Sequence, residues 1–359
     1  MRSVIDILDL SVEEIDELIR TACDMIENPK KYSECLKGKK IATLFFEPST
    51  RTRLSFEAAM MELGGSALGF SDAKNSSASK GETVSDTARV VSCYADIIAM
   101  RHPLEGAPYV ASLAASIPVI NAGDGGHAHP TQTLADLLTI YREKGRFHNL
   151  TVGFCGDLKY GRPVHSLIHA LSRYTGVKIV LISPDELALP DYIKRDVIEK
   201  HGMPYYETTS LDEAIPELDV LYMTRVQGER FDDPDEYFRL KDFYILDPAK
   251  LENAKSDMII LHPLPRVDEI TVDVDADPRA CYFKQVFNGK NMRKALILKL
   301  VTEAEANPAS AKRPTRMLSS NICKNSRCIC KSERGLIPQA VETDEGLRCA
   351  FCDSAVEIN

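Results

Sequence analysis

Residues 41–65 read Ile41-Ala42-Thr43-Leu44-Phe45-Phe46, then Glu47-Pro48-Ser49-Thr50-Arg51-Thr52-Arg53, then Leu54-Ser55-Phe56-Glu57-Ala58-Ala59-Met60-Met61-Glu62-Leu63, closed by Gly64-Gly65. A strand-length apolar run feeds a helical segment through a turn rich in hydroxyls and arginine. Free N–H groups at a helix start, its dipole, and Ser and Thr hydroxyls together make an anion site, and Arg51 adds a fork matched to phosphate oxygens. The turn is not a nucleotide P-loop, because the Gly-rich spacing and the Lys-[Ser/Thr] ending are absent.

The same unit recurs outward from this stretch. Apolar runs at 41–46, 97–100, 117–120, 150–155, 178–183, 219–223 and 257–261 are separated mostly by segments of helical periodicity. Upstream, Ser11 and Glu14 form a capping-box pattern ahead of Ile15, Leu18, Ile19, Ala22, Met25 and Ile26, which predicts an amphipathic helix ending at Asn28-Pro29. Alternating strand and helix predicts an α/β protein, and 359 residues suit two lobes, each with a parallel sheet covered by helices. Asn307-Pro308-Ala309-Ser310-Ala311-Lys312-Arg313-Pro314 has linker composition, and a small cysteine-rich segment follows it. The expected organisation is a first lobe over 1–131 completed by a C-terminal helix at 290–306, a second lobe over 132–289, a linker over 307–318 and a small zinc-binding domain over 319–359.

Lys and Arg number 44 against 53 Asp and Glu, for a net charge of −9, which argues against broad binding to nucleic acid or an anionic membrane. The N-terminus lacks a signal-peptide core and no stretch approaches the length of a membrane span, so a cytoplasmic protein is expected. Five of ten cysteines lie in the last 37 residues, and in a reducing compartment that clustering points to metal ligation. Cys23, Cys35, Cys93, Cys155 and Cys281 are scattered and read as small core residues.

In parallel sheets ligands bind beyond the carboxyl ends of the strands, and the unusual residues stand in those loops. Asn75-Ser76-Ser77-Ala78-Ser79-Lys80-Gly81 places one lysine in a small polar setting, and Arg101-His102-Pro103 ends another strand. Gly123-Asp124-Gly125-Gly126-His127-Ala128-His129-Pro130-Thr131-Gln132 leads into a helix, with His129 and Gln132 able to donate to a polarised carbonyl oxygen. Arg162 and Arg225 follow two further strands as forks for carboxylates, and His262-Pro263-Leu264-Pro265-Arg266 offers free carbonyls for an amine. Phosphate donors, carbonyl polarisers and dicarboxylate forks suit group transfer from an activated phosphate to an amine, by positioning and electrostatics.

These motifs, with Lys80-Gly81-Glu82-Thr83, Gly156-Asp157-Leu158-Lys159-Tyr160-Gly161-Arg162 and Thr224-Arg225-Val226-Gln227, stand in an order that resembles the aspartate carbamoyltransferase catalytic chains over about residues 3–306. Arg225 with Gln227, and a proline after His262 where an ornithine enzyme has cysteine, favour aspartate over ornithine. The resemblance implies that Ser49, Thr50, Arg51 and Thr52 bind the phosphate of carbamoyl phosphate. It implies that Thr52, Arg101 and His129 hold its carbonyl oxygen. Gln132 and the backbone at Pro263 and Leu264 would hold the carbamoyl NH₂ group, and Arg162, Arg225 and Gln227 the carboxylates of L-aspartate. It further implies a homotrimer in which Lys80, with Ser76 or Ser77, enters a neighbour's site, and a step in pyrimidine biosynthesis that needs no catalytic cofactor. The alternatives are a carbamoyltransferase for another amine such as ornithine, or a non-catalytic zinc-containing regulatory homologue.

In the tail, Cys323-x4-Cys328 and Cys349-x2-Cys352 have the spacing of a four-thiolate zinc site, one structural zinc per chain, with Cys330 a fifth thiol. Cys323-Lys324-Asn325-Ser326-Arg327-Cys328 and Arg348-Cys349-Ala350-Phe351-Cys352 resemble the zinc domain of the aspartate carbamoyltransferase regulatory chain. That resemblance implies a tail packed on the catalytic body.

Overall fold

A computed structural model describes residues 2–73, 77–226, 244–307, 316–317, 323–343 and 346–356. Two compact units divide the chain, one of residues Met1–Thr131 with Lys290–Asn359, the other Gln132–Gly289.

The first unit holds a four-stranded parallel sheet in the order β2-β1-β3-β4, from β1 (Lys40–Phe45), β2 (Ser66–Phe70), β3 (Ile97–His102) and β4 (Val119–Asp124). Its helices of eight or more residues include α1 (Val12–Glu27), α2 (Thr50–Glu62), α3 (Val84–Val91) and α4 (Ala107–Ala114). Helix α1 starts as its sequence predicts: the Ser11 hydroxyl accepts from Glu14 N–H while the Glu14 carboxylate accepts from Ser11 N–H. Its Ile15, Leu18, Ile19, Ala22 and Met25 form the buried stripe.

The second unit holds a five-stranded parallel sheet in the order β7-β6-β5-β8-β9, from β5 (Thr151–Cys155), β6 (Lys178–Ile182), β7 (Tyr205–Thr208), β8 (Val220–Met223) and β9 (Ile259–Leu261). The chain enters this unit within α5 (Pro130–Lys144), carries α6 (Arg162–Leu171) after β5, and leaves it within α7 (Tyr282–Ala306). Two parallel α/β sheets are what the alternation of apolar runs predicts. The runs missed β2 and β7, which are outer strands of their sheets; Ser66-Ala67-Leu68-Gly69-Phe70 and Tyr205-Tyr206-Glu207-Thr208 are only partly buried and carry no continuous apolar run.

The cysteine-rich tail belongs to the first unit. Its strands β10 (Arg316–Met317), β11 (Gln339–Thr343) and β12 (Gly346–Cys349) form a small antiparallel sheet. One continuous apolar cluster joins its Cys328, Ile329, Phe351 and Val356 to Met100, Ala107, Tyr109 and Val110 of the lobe. Most of the linker expected at 307–318 lies outside the described residues. Among the described residues no helix is long and apolar enough to cross a membrane. Cys155 and Cys281 are buried as read, but Cys35 and Cys93 are exposed, each on a helical end where its thiol faces a carbonyl one turn back.

Candidate active site and cysteine cluster

In the first unit the turns after β1, β3 and β4 leave neighbouring strand ends, which is why residues 49–52, 101 and 129 come to one edge of the sheet. Ser49 is the residue before α2 and makes no side-chain cap bond there, so Thr50, Arg51 and Thr52 open the helix. Burial lowers the Arg51 guanidinium below its usual range, and the neighbouring Arg101 charge lowers it further. Neighbouring cations give this edge of the sheet a positive potential that favours an anion.

Arg101 is aimed by Glu47, whose carboxylate accepts from its Nη2 at 2.7 Å, and Ala122 O accepts from its Nη1 at 3.4 Å. Its Nε is buried with no hydrogen-bond partner among the described residues. A Cβ placed on Gly123, whose φ is +120°, would lie 2.9 Å from Arg101 Nη1 and 3.3 Å from His129 Cδ2. The two side chains therefore close on one point, and only a glycine leaves them room. His129 is buried, with its Nδ1 3.4 Å from Thr131 Oγ1.

Asp124, which sequence reasoning passed over, organises this loop. Fully buried, it accepts from Ala128 N–H and Asn121 Nδ2 through Oδ1, and from Gly106 N–H through Oδ2. His127 Nδ1 lies 2.9 Å from Asp124 Oδ2 and its Nε2 lies 2.8 Å from Asp353 Oδ2. Burial opposes its charge, but the two carboxylates outweigh this and raise His127 well above its ordinary range. His127 is thus an imidazolium clasp, and its partners are carboxylates. Lys80 ends the helical turn Ser77–Lys80 after β2 and is exposed, as is Ser77. Ser76 lies outside the described residues.

In the second unit the corresponding loops leave β5, β8 and β9, which are adjacent in the sheet. Arg162 opens α6 and is partly buried; Arg225, also partly buried, follows Met223-Thr224, where Thr224 Oγ1 donates to Cys155 O at 3.0 Å and ties the two strand ends together. Gln227 lies outside the described residues. After β9, His262 fixes the turn carrying Pro263 and Leu264. Its Nδ1 accepts from Leu264 N–H at 2.8 Å, so its Nε2 carries the proton toward Glu269 Oε1 at 2.7 Å. Burial pushes Glu269 up, but His262 and the N–H groups it accepts outweigh burial and hold the carboxyl below its ordinary range. Leu264 has φ +52° and precedes a cis proline.

Gln132 donates to Asp136 Oδ1 at 2.7 Å, and buried Asp136 also accepts from Tyr222 OH at 3.0 Å and from Gln285 Nε2. Gln285 in turn accepts from His262 N–H at 3.0 Å. One hydrogen-bonded chain therefore runs from Gln132 to the His262 turn. Asp136 and Gln285 were missed by sequence reasoning; the only trace was the i, i+4 spacing of Gln132 and Asp136.

In the tail the thiols of Cys323, Cys328, Cys349 and Cys352 are buried and lie within 4.8 Å of one another. The Cys323–Cys352 sulfurs are 3.6 Å apart and the Cys328–Cys349 sulfurs 3.8 Å, none in a disulfide. Zinc at about 2.3 Å from each of four thiolates in a tetrahedron sets sulfurs about 3.8 Å apart, so the donor set fits. Cys330 is buried nearby and is not one of the four.

Residues 2–142 match the aspartate/ornithine carbamoyltransferase carbamoyl-P binding domain, and residues 148–300 match the Asp/Orn binding domain of the same enzymes. The chain is 62% identical over 301 residues to the aspartate carbamoyltransferase catalytic subunit of Lachnoclostridium phytofermentans, covering 84% of this chain and 98% of that one. It is also 62% identical over 300 residues to the catalytic subunit of Clostridium acetobutylicum, with the same coverage. Among solved structures, the catalytic subunit of M. jannaschii aspartate transcarbamoylase superposes with a TM-score of 0.80 at 50% identity, over 86% of this chain and all of that one. The Trypanosoma cruzi enzyme in complex with carbamoyl phosphate and aspartate gives 0.78 at 40% identity, over 83% of this chain and 96% of that one. With both domains matched and the catalytic subunits nearly fully covered, this chain belongs to the aspartate/ornithine carbamoyltransferase family.

Proposed function

We propose that the chain is a cytoplasmic aspartate carbamoyltransferase that converts carbamoyl phosphate and L-aspartate to N-carbamoyl-L-aspartate and phosphate in pyrimidine biosynthesis. The observation that carries this reading is the convergence of Arg101 and His129 on Gly123, with Arg101 close enough for its charge to be felt at Arg51. Ser49, Thr50, Arg51 and Thr52 seat the phosphate; Thr52, Arg101 and His129 donate to the carbonyl oxygen as negative charge grows on it. Gln132 and the carbonyls of Pro263 and Leu264 hold the carbamoyl NH₂ group, while Arg162, Arg225 and Gln227 take the carboxylates of aspartate. The α-amine attacks the carbonyl carbon, forming a C–N bond and a tetrahedral intermediate. Collapse breaks the C–O bond to phosphate, which leaves with the proton shed by the amine. Positioning and charge stabilisation suffice, and no covalent enzyme intermediate is formed.

Lys80, with Ser76 or Ser77, completes a neighbouring subunit's site in a homotrimer. Mixed trimers of Lys80→Ala and Arg225→Ala chains therefore regain activity far above the residual turnover of either variant alone, and mixed trimers no more active than the variants count against the shared site. Cys323, Cys328, Cys349 and Cys352 hold one structural zinc ion, which fixes the fold of the tail and takes no part in the reaction. The decisive assay supplies labelled carbamoyl phosphate with L-aspartate or L-ornithine in parallel. Aspartate-only turnover is expected; turnover with ornithine alone, or with neither amine, refutes the assignment.

A further inference from the structure

The tail touches the lobe at a place its cysteines do not explain. Helix α3 begins four residues after Lys80, and its first turn needs acceptors for N–H groups that have no partner inside the helix. Thr83 Oγ1 accepts from Asp86 N–H at 3.1 Å. The two N–H groups before it are met from far along the chain: Glu333 Oε2 accepts from Val84 N–H at 3.0 Å and Glu333 Oε1 from Ser85 N–H at 2.9 Å. Beside it, Arg334 Nη2 donates to Gly81 O at 2.5 Å. The tail thus grips both ends of the short connection Gly81-Glu82-Thr83 by which Lys80 is joined to α3. A carboxylate spanning two N–H groups at a helix start gains from charge-assisted bonds and from the helix dipole together.

We propose that Glu333 is a positioning residue for Lys80, so that the cysteine-rich tail sets the reach of the lysine into the active site. This rests on the reading of Lys80 as a site residue given above. The local sequence supplies no substitute: residues 77–80 form a single helical turn of small residues and one lysine, and Ser77, Ser79 and Lys80 are all exposed. Glu333 N–H donates to Ile329 O at 3.0 Å, which ties the glutamate to a buried segment of the tail. The tail would therefore act on catalysis without touching substrate.

The test uses the full-length protein with its measured metal content and compares Glu333→Ala, Glu333→Gln, Lys80→Ala and the double variant Glu333→Ala with Lys80→Ala. Amide exchange at residues 81–86 is expected to rise about tenfold or more in Glu333→Ala and less in Glu333→Gln, which keeps one acceptor oxygen, with metal content unchanged in both. The kcat of Glu333→Ala falls about tenfold, the scale of one lost charge-assisted cap, and Glu333→Gln recovers most of it. In the Lys80→Ala background, Glu333→Ala adds no further loss, because the lysine it positions is gone. Unchanged exchange, or an equal loss of kcat with and without Lys80, overturns the proposal while leaving the role of Lys80 standing. A fully active Lys80→Ala chain overturns both readings at once, and so separates the two failures.

Discussion

Gly123→Ala is the substitution that most directly questions the geometry of the proposed carbonyl-oxygen site. The new methyl would sit 2.9 Å from Arg101 Nη1 and 3.3 Å from His129 Cδ2, against an ordinary carbon contact of about 3.5 Å. Arg101 must retreat by roughly half an ångström, and it has no slack, since its Nη2 is held by Glu47 at 2.7 Å and the side chain is only 15% exposed. A misplacement on the order of 1 Å costs about 100-fold in a reaction that depends on positioning, so a loss of kcat of roughly 10- to 100-fold is expected. The backbone adds its own penalty, because φ of +120° is a conformation side chains rarely adopt and costs about 1–3 kcal/mol of stability.

The two effects separate in one experiment. Gly145 has φ +70° with nothing within 4 Å of an added methyl, so Gly145→Ala strains the backbone and meets no neighbour. Both variants should melt a few degrees low, but only Gly123→Ala should lose turnover with saturating aspartate and carbamoyl phosphate. A folded Gly123→Ala protein with kcat and kcat/KM within about twofold of the parent refutes the argument, because Arg101 and His129 could then move without consequence.

Three further outcomes follow from named contacts. Burial lowers His102 to about 4, so the unfolded chain binds a proton below about 6.5 that the folded chain refuses; stability is complete above pH 6.5 and falls by about 3 kcal/mol as the pH drops to 4. Urea titrations across that window should show a slope shallower by one proton in His102→Asn, and an unchanged slope contradicts the burial of a neutral ring. Glu269→Gln removes the charge that holds His262 and the Pro263-Leu264 turn, and should lower stability by about 1–3 kcal/mol and kcat with it; a variant as stable and active as the parent sinks the positioning role. Phe351→Ala empties a buried site against Tyr109, whose ring centroid is 5.9 Å away, and should cost about 3–5 kcal/mol in denaturant unfolding. A cost near zero means the tail is not packed on the lobe.

The central strands were legible in the sequence because burial on both faces demands continuous apolar runs, as in Lys178–Ile182 and Val220–Met223. The outer strands β4 and β9 are buried and follow the same rule, whereas β2 and β7 are only partly buried, and Ser66–Phe70 carries a glycine where its neighbour's backbone comes within 2.1 Å of an added Cβ. The helix start at Ser49, Thr50 and Arg51 was legible for a related reason, as the candidate anion seat proposed above. A hydroxyl- and arginine-rich helix start has few uses besides binding an anion, so local composition is enough to suggest the chemistry. What aims those groups was not legible. Glu47, Asp124, Asp136 and Glu269 are ordinary acids in the sequence, and each becomes a hub only when the fold brings N–H groups, an arginine or a histidine to it from separate elements.

The tail divides along the same physical line. Four thiols in two short-spaced pairs mark a group that could hold a metal ion, because chelation by neighbouring residues is a local property. Docking is a property of two surfaces. Glu105 meets the tail through backbone, its N–H donating to Arg327 O and its carbonyl accepting from Ile329 N–H, each at 2.9 Å, and a backbone contact leaves no mark on residue type. Its side chain, accepting from Asn325 Nδ2, and the Asp353 carboxylate on His127 are long-range polar pairs of the kind that one sequence cannot pair. His127 draws the consequence for function: it stands two residues from His129, and its imidazolium is clasped between a lobe carboxylate and a tail carboxylate. The tail and the loop that carries His129 are therefore joined at His127 by two hydrogen bonds.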